Sequence, residues 1–470
     1  MNDAPIIYGL ETYIKKNYAP FSMPGHKHGR AFQDQLTTLI LNGDITEVDG
    51  LDNLQNPQGI IREALDKLSE CYGSYKSYFL VNGSTSGNLT MIFSSFNEGD
   101  KVLVERNCHK SIFNGILVRK LKPIYIKNEI SSKLGAPLGI DFKHFLEIID
   151  NEKDIKGIIL TYPNYFGIGL DISKIITECK KRSIKVLIDE AHGAHFGFHN
   201  ELPESAVKLG ADMVVMSAHK TLPSLTQTAY LHINNEIDKE KVEFYLSTFM
   251  STSPSYLFMS TLDYSRAFLQ EKAEVAYEKL IRRIKKINEV IDKVEGIDFI
   301  DNNKLEDKWT YDPTRIVISI NEGYKNIDLV EYFLNNGVQV EMAIGRATVL
   351  IPTPFNSEED FERLENALLK LRVDKEETIV KSYDLDIEDG KLIDPITVMN
   401  NEAEFIDIIN SVGKIAKEHI VPYPPGVPLI LMGEKITREK INKLLDLLND
   451  NIECIGINNN KIKILKETEE

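Results

Sequence analysis

Seven short runs of aliphatic and aromatic residues recur between positions 78 and 233, and they constrain the fold more than any other feature. They are YFLV at 78, KVLVE at 101, PIYI at 123, KGIILTY at 156, KVLID at 185, ADMVVMS at 211 and TAYLHI at 228. Their centres are continuously apolar, whereas a strand with one wet face alternates. Segments with helical periodicity, such as ISKIITECKKR at 172, separate several of them. Such runs predict an α/β fold, with a mostly parallel sheet covered by helices on both faces.

The 470 residues leave room for two or three domains of ~100–200 residues each. Residues 1–50, rich in Gly, His and Pro, read as an N-terminal arm, and 51–265 as a large domain. In the large domain, Asn56 is the expected cap of a helix through IIREALDKLSECY, with Pro57 in its first turn. The segment from Tyr256 to Val294 contains no Pro or Gly and reads as one long helix leading into a small α+β domain, 266–375. That domain carries strands at RIVISI and ATVLIP and a helix capped by Ser357. A charged stretch, residues 373–391, reads as a linker to a C-terminal domain, 376–470, with the turn VPYPPGVP.

A formal charge of -16 argues against nucleic acid and anionic membranes as partners. No apolar stretch reaches the ~18 residues of a membrane span, and the N-terminus has no signal-like pattern, so a cytoplasmic protein is expected. Four scattered cysteines form no C-x-x-C pair. Asp189, His192, His195 and His199 invite a metal reading, but Gly193 and Gly197 suggest a turn, not a helix aligning ligands, and no metal is expected. DEAH at 189 lacks the phosphate loop that helicase chemistry needs.

The most informative segment is SAHKTLPS, 217–224, between two of the apolar runs. A lysine at the end of a buried parallel strand is disfavoured as an ammonium, and a neutral lysine is what an aldehyde cofactor requires for imine formation. Lys220 taken alone has two ordinary fates, snorkelling to the surface or pairing with a carboxylate. Asp189 ends the run KVLID about thirty residues earlier, one strand-helix-strand step away. It is placed to keep a pyridoxal ring nitrogen protonated, or merely to cap its loop. The loop NGSTSGN, 82–88, is a phosphate-cradle candidate through Ser84, Thr85 and Ser86, joined by Ser217 and His219. His109, just after KVLVE, can stack on a cofactor ring or serve as a structural hydrogen-bond partner.

The sequence resembles the ornithine/lysine/arginine decarboxylases, in the short bacterial form without an N-terminal wing domain. Ten ordered pieces carry the resemblance: FSMPGHKHG at 21, DITEVDGLDNL at 44, LVNGSTSGN at 80, GDKVLVERNCHKS at 99, TYPNYFGIGLDI at 161, IDEAHGAHFGFH at 188, MSAHKTLPSLTQTAYLH at 216, STSPSYLFMSTLD at 251, DPTRIVIS at 312 and VPYPPGVPLILMGE at 421. It implies an aspartate-aminotransferase-like fold type I with a mostly parallel, seven-stranded sheet and smaller α+β C-terminal domains. The implied cofactor is pyridoxal 5'-phosphate, attached to Lys220, with Asp189 on its ring nitrogen, His109 stacked on the ring and His192 close by. Ser84, Thr85, Ser217 and His219 would hold its phosphate. Thr252 would reach the phosphate of a neighbouring subunit, implying a homodimer with shared sites, capable of further assembly, in which the PGHK arm builds the interface. Asn53, Gln55 and Met432 stand where the family commonly has Asp, His and Pro.

The expected reaction is decarboxylation of a small cationic amino acid, with Lys220 or a nearby histidine returning the proton to Cα. Glu341 is the candidate acid for the substrate's distal cation. The rival readings are an aminotransferase or lyase on the same scaffold, with Arg315 or Arg346 clamping the α-carboxylate, and a non-catalytic regulatory paralogue.

Overall fold

In the computed structural model, residues 4–32, 34–131, 136–236, 239–344, 346–376, 393, 395–423, 428–449 and 452–466 are described. The expected linker, residues 373–391, lies outside the described residues from 377 onward.

All seven apolar runs become strands of one sheet: β1 (Lys76–Leu80), β2 (Lys101–Glu105), β3 (Lys122–Ile126), β4 (Ile155–Thr161), β5 (Lys185–Asp189), β6 (Met213–Met216) and β7 (Ala229–Ile233). Their spatial order is β1-β7-β6-β5-β4-β2-β3. Only β7 runs antiparallel to its neighbours, pairing Met216 with Tyr230 on one side and Leu80 with Ala229 on the other. The other six point one way, so the segments after β1, β2, β4, β5 and β6 emerge at one edge, where open α/β sheets bind ligands. Ile158, Ile159, Leu187, Ile188, Val214 and Val215 are all fully buried, which is why the runs carry apolar residues at successive positions.

Two local expectations are corrected. The helix Ile60–Tyr72 is capped not by Asn56 but by Asp52, whose carboxylate accepts from Gln58, Gly59, Ile61 and Arg62 N–H groups at 2.8–3.3 Å. Pro57 precedes that helix. NGSTSGN is not a loop: a helix runs Gly83–Ser95. Gly87 lets it lie on the sheet, since a Cβ there would sit 2.6 Å from Leu80 Cδ1 and 2.8 Å from Val215 Cγ2.

The long helix spans Tyr256–Ile291, 36 residues. Beyond it an antiparallel sheet pairs Ile297–Phe299, Ile316–Ile320, Ala347–Leu350 and Met342–Ile344 in that order. Ser357 forms a full capping box with Asp360 on the helix Glu358–Lys370. The arm joins this part of the molecule: Ala19–Pro20 pairs in parallel with Val338–Gln339, and Ile351 N–H donates to Phe21 O at 2.7 Å. Further along, Ile408, Ile430, Ile441, Leu444 and Ile464 belong to a second hydrophobic core, while Leu431 inserts into the main core. Among the described residues no helix is long and apolar enough to cross a membrane.

Candidate active site

A cavity of about 370 Å³ opens at the sheet edge. Lys220 reaches it from the short helix Ala218–Thr221 that follows β6, and Asp189 from the end of the adjacent β5. The strand-helix-strand step thus brings the two together as the spacing implied. Burial disfavours the Lys220 ammonium and lowers its pKa; Asp189 and Glu341 oppose this, and Arg315 reinforces it. Burial raises the Asp189 pKa, while Lys220, the Asn88 amide and the Ala191 N–H pull the other way.

Asp189 is held by its neighbours. Asn88 Nδ2 donates to its Oδ2 at 2.8 Å and to Ser111 Oγ at 3.0 Å, and Ala191 N–H donates to its Oδ1 at 3.2 Å. His109 lies at the N-terminus of the helix Lys110–Arg119, where its Nδ1 accepts from Ser111 N–H at 3.3 Å. Burial, with Lys220 and Lys110 nearby, lowers its pKa to about 4, so it presents a neutral ring to the cavity.

The helix Gly83–Ser95 aims its first turn at the same space. Gly83, Ser84 and Thr85 line the cavity, and Ser217 Oγ donates to Ser84 Oγ at 3.0 Å. The leading N–H groups of a helix lack intrahelical acceptors and favour an anion. Ser86 is turned away, its hydroxyl bonded to Gly83 O at 2.8 Å. His219 Nδ1 donates to Thr228 O at 2.9 Å, leaving Nε2 for the cavity. Thr252 is exposed and does not line this chain's cavity; its neighbour Ser251 touches Asn82 and Gln55.

His192 comes closest to the lysine: its Nε2 is 3.0 Å from Lys220 Nζ. Burial, then Lys220 and Arg315, holds its pKa well below the usual imidazole range. His195 and His199 turn elsewhere, to Asp312 and Thr314 at 3.1 Å and to Glu278 at 3.0 Å. Glu190, just beyond β5, does not line the cavity and accepts from Ser205 and Ala206, which absorbs the rest of the DEAH string.

Several wall residues carried no expectation. Tyr165 tilts against His192 with ring centroids 4.4 Å apart and lies 5.8 Å from Lys220 Nζ. Its hydroxyl donates to Glu341 Oε1 at 3.2 Å, and Met23 N–H donates to Oε2 at 2.8 Å. Glu341 therefore anchors Tyr165 and the arm and does not line the cavity. Arg346 is spent on the Ile320, Asn321 and Tyr324 carbonyls, and Arg315 lies behind His192; neither lines the cavity. Pro422, Pro428, Leu429 and Leu447 from the C-terminal part close it from above. Arg106 meets them there, donating to Leu429 O at 3.2 Å and Glu434 Oε2 at 2.8 Å.

A lysine amine, a buried carboxylate and a helix N-terminus with small hydroxyls, all on one cavity, complement the aldehyde, ring nitrogen and phosphate of pyridoxal phosphate. The buried, neutral His109 supplies a flat partner for its ring.

Residues 4–339 match the family model for the Orn/Lys/Arg decarboxylase major domain, and residues 396–455 match that for the C-terminal domain. The chain is 35% identical over 477 residues to uncharacterized protein YaaO of Bacillus subtilis, covering 98% of this chain and 97% of that one. It is 30% identical over 482 residues to an arginine decarboxylase of Bacillus subtilis, covering 100% and 98%. The fold matches the lysine decarboxylase LdcF of Francisella novicida with a TM-score of 0.77 at 19% identity, over 99% of this chain and 84% of that one. That structure speaks to fold alone. The major-domain match takes in β1 to β7 and every cavity residue that they carry, and so the chain belongs to the Orn/Lys/Arg decarboxylase family, whose fold and pyridoxal phosphate cofactor it shares.

Proposed function

We propose that this protein decarboxylates a basic amino acid to the corresponding amine, with Lys220, Asp189, His109 and His192 as its catalytic residues. The observation that carries the proposal is the juxtaposition of Lys220 and Asp189 on one cavity at the ends of adjacent parallel strands. When bound, pyridoxal phosphate supplies an aldehyde for amines and an electron sink for the pair left as carbon dioxide departs.

The protein supplies position, dryness and proton control. Lys220 Nζ, whose ammonium burial disfavours, is the attachment point and, once freed, takes a proton from the substrate amine and holds it near Cα. Asp189 holds a proton on the ring nitrogen, oriented by Asn88 and Ala191. His109 covers one ring face. The first turn of Gly83–Ser95, with Ser84, Thr85, Ser217 and His219, holds the phosphate; Ser86 contributes no hydroxyl. Tyr165, Phe166, Leu429 and Leu447 keep water from the reacting carbon. Lys220 Nζ or His192 Nε2 delivers the proton to Cα.

Asp189 is the only carboxylate among the described residues of the cavity wall, and it is committed to the cofactor end. The acid that meets a cationic substrate side chain therefore comes from outside that wall. A homodimer supplies this need, with the exposed Thr252 segment and the arm at the interface.

The aminotransferase reading loses ground because its two candidate clamps, Arg315 and Arg346, are engaged elsewhere. The test is incubation of the purified protein with pyridoxal phosphate and lysine, arginine or ornithine in turn. Amine and carbon dioxide in equal amounts are expected; an α-keto acid would overturn the proposal.

A further inference from the structure

A buried polar chain runs back from Lys220 into the junction with the small sheet. Arg315 is fully buried at its centre. One terminal nitrogen, Nη2, donates to His192 O at 3.3 Å and to His192 Nδ1 at 3.4 Å. The other, Nη1, lies 3.6 Å from Asp312 Oδ2. Asp312 is in turn held by His195 Nε2 at 3.1 Å and by the Thr314 hydroxyl and N–H.

The chemistry of these groups bears on where their protons sit. A guanidinium has five N–H donors and no acceptor. A donor aimed at His192 Nδ1 favours a bare Nδ1, and a neutral imidazole then carries its hydrogen on Nε2. That atom faces Lys220 Nζ at 3.0 Å. A hydrogen bond there requires Lys220 to accept, which an ammonium cannot do. The opposite assignment, an ammonium donating to Nε2, puts the ring hydrogen on Nδ1, against the guanidinium donor, and is disfavoured.

We propose that Arg315, neutralised by Asp312, is a positioning residue that locks His192 as the Nε2–H tautomer and so selects Lys220 as a neutral amine before the cofactor arrives. The inference rests on the reading of Lys220 as the attachment point. In that step the Nζ lone pair bonds to the aldehyde carbon, and the carbonyl oxygen leaves as water with both amine hydrogens. The other groups around Lys220 do not undo the selection. Asp189 and Glu341 favour the ammonium, burial and Arg315 disfavour it and lower the Lys220 pKa, and His109 and His219 are neutral.

Two measurements on the full-length chain freed of cofactor test this. In protein labelled with nitrogen-15 histidine, the His192 signals should show a bare Nδ1 and a protonated Nε2; the reverse tautomer overturns the proposal without any variant. Second, the rate of cofactor attachment, read by absorbance and by borohydride-trapped peptide mass, is followed across pH. Relative to wild type, Arg315→Met should lose rate as pH falls, approaching tenfold for each pH unit once below the Lys220 pKa of the variant. Arg315→Lys, which keeps one donor for His192, should track wild type. An Arg315→Met profile parallel to wild type overturns the proposal. Trapping at another lysine would instead refute the proposed attachment point, leaving the tautomer result standing.

Discussion

The Gly25 N–H donates to the His219 carbonyl at 2.8 Å, which ties the N-terminal arm to the residue preceding Lys220. The approach is close because residue 25 has no side chain. A Cβ there would sit 2.4 Å from Leu222 O and 2.8 Å from the Thr221 carbonyl carbon. Neighbouring Lys27 is fully buried, with Nζ on Ser22 O at 2.6 Å and Ile351 O at 2.8 Å, so the arm cannot simply swing aside. Gly25→Ala is expected to cost ~1–3 kcal/mol of stability. It should also weaken cofactor retention, because the Lys220 segment must shift. Thermal unfolding and cofactor titration together check this; unchanged retention would show that the arm and the lysine segment are not coupled.

Much of this architecture was legible in the sequence. Continuous apolar runs mark buried strands, and all seven took their places in one sheet. Lys220 and Asp189 were legible because parallel strands deliver their ends to a common edge. What escaped was set by tertiary contact. Asn82 to Asn88 has the composition of a turn, yet packing on Leu80 and Val215 makes it helix. Asp52 caps a helix that starts eight residues later, too far for a local capping pattern. Arg106 and Glu434 are 328 residues apart, and neither has a pattern that announces the other. Asn88 lies one helical turn beyond Ser84, a spacing that could have flagged it as facing the same space.

Asn88→Ala should isolate the orientation of Asp189. The alanine removes the 2.8 Å donor to the carboxylate without touching its charge. A hydrogen bond to a charged group contributes ~1.5–3 kcal/mol, so kcat/KM is expected to fall roughly tenfold to a hundredfold. The Asp189 pKa, already raised by burial, should rise further with that donor gone. Activity should therefore fall more at acidic pH than at alkaline pH. A uniform loss across pH would contradict this assignment.

Glu434→Gln should loosen the roof of the cavity. The Glu434 carboxylate is buried and accepts from Arg106 at 2.8 Å and Leu431 N–H at 2.9 Å, with Lys440 Nζ at 2.5 Å. Burial would raise its pKa, but Arg106 and Lys440 outweigh that and lower it, so the anion balances two cations. Removing one member of such a group costs ~3–5 kcal/mol. Leu429, whose carbonyl Arg106 also holds, lines the cavity. KM for the amino acid is expected to rise more than kcat falls, since the roof closes the cavity but carries none of the proposed catalytic residues. Steady-state kinetics beside urea unfolding would check both halves.

Asp312 gives the pH dependence its sign. Burial alone would raise its pKa, but His195 and Arg315 prevail and hold it at about 2 against an ordinary 3.8. A carboxyl group with a depressed folded-state pKa contributes stability that is complete above the ordinary value and is lost as pH falls through the folded one. The contribution is about 2 kcal/mol, from ~1.4 kcal/mol per pKa unit. Asp312→Asn should therefore be less stable than wild type by at least this amount from neutral pH down to about pH 4. Between about pH 4 and pH 2 the gap should close, because protonated Asp312 leaves Arg315 as uncompensated as the asparagine does. Urea unfolding at stepped pH reads the gap directly. A gap that stays constant into acid would mean that the Asp312 charge does not support Arg315, and the hold on His192 would then have to come from shape alone.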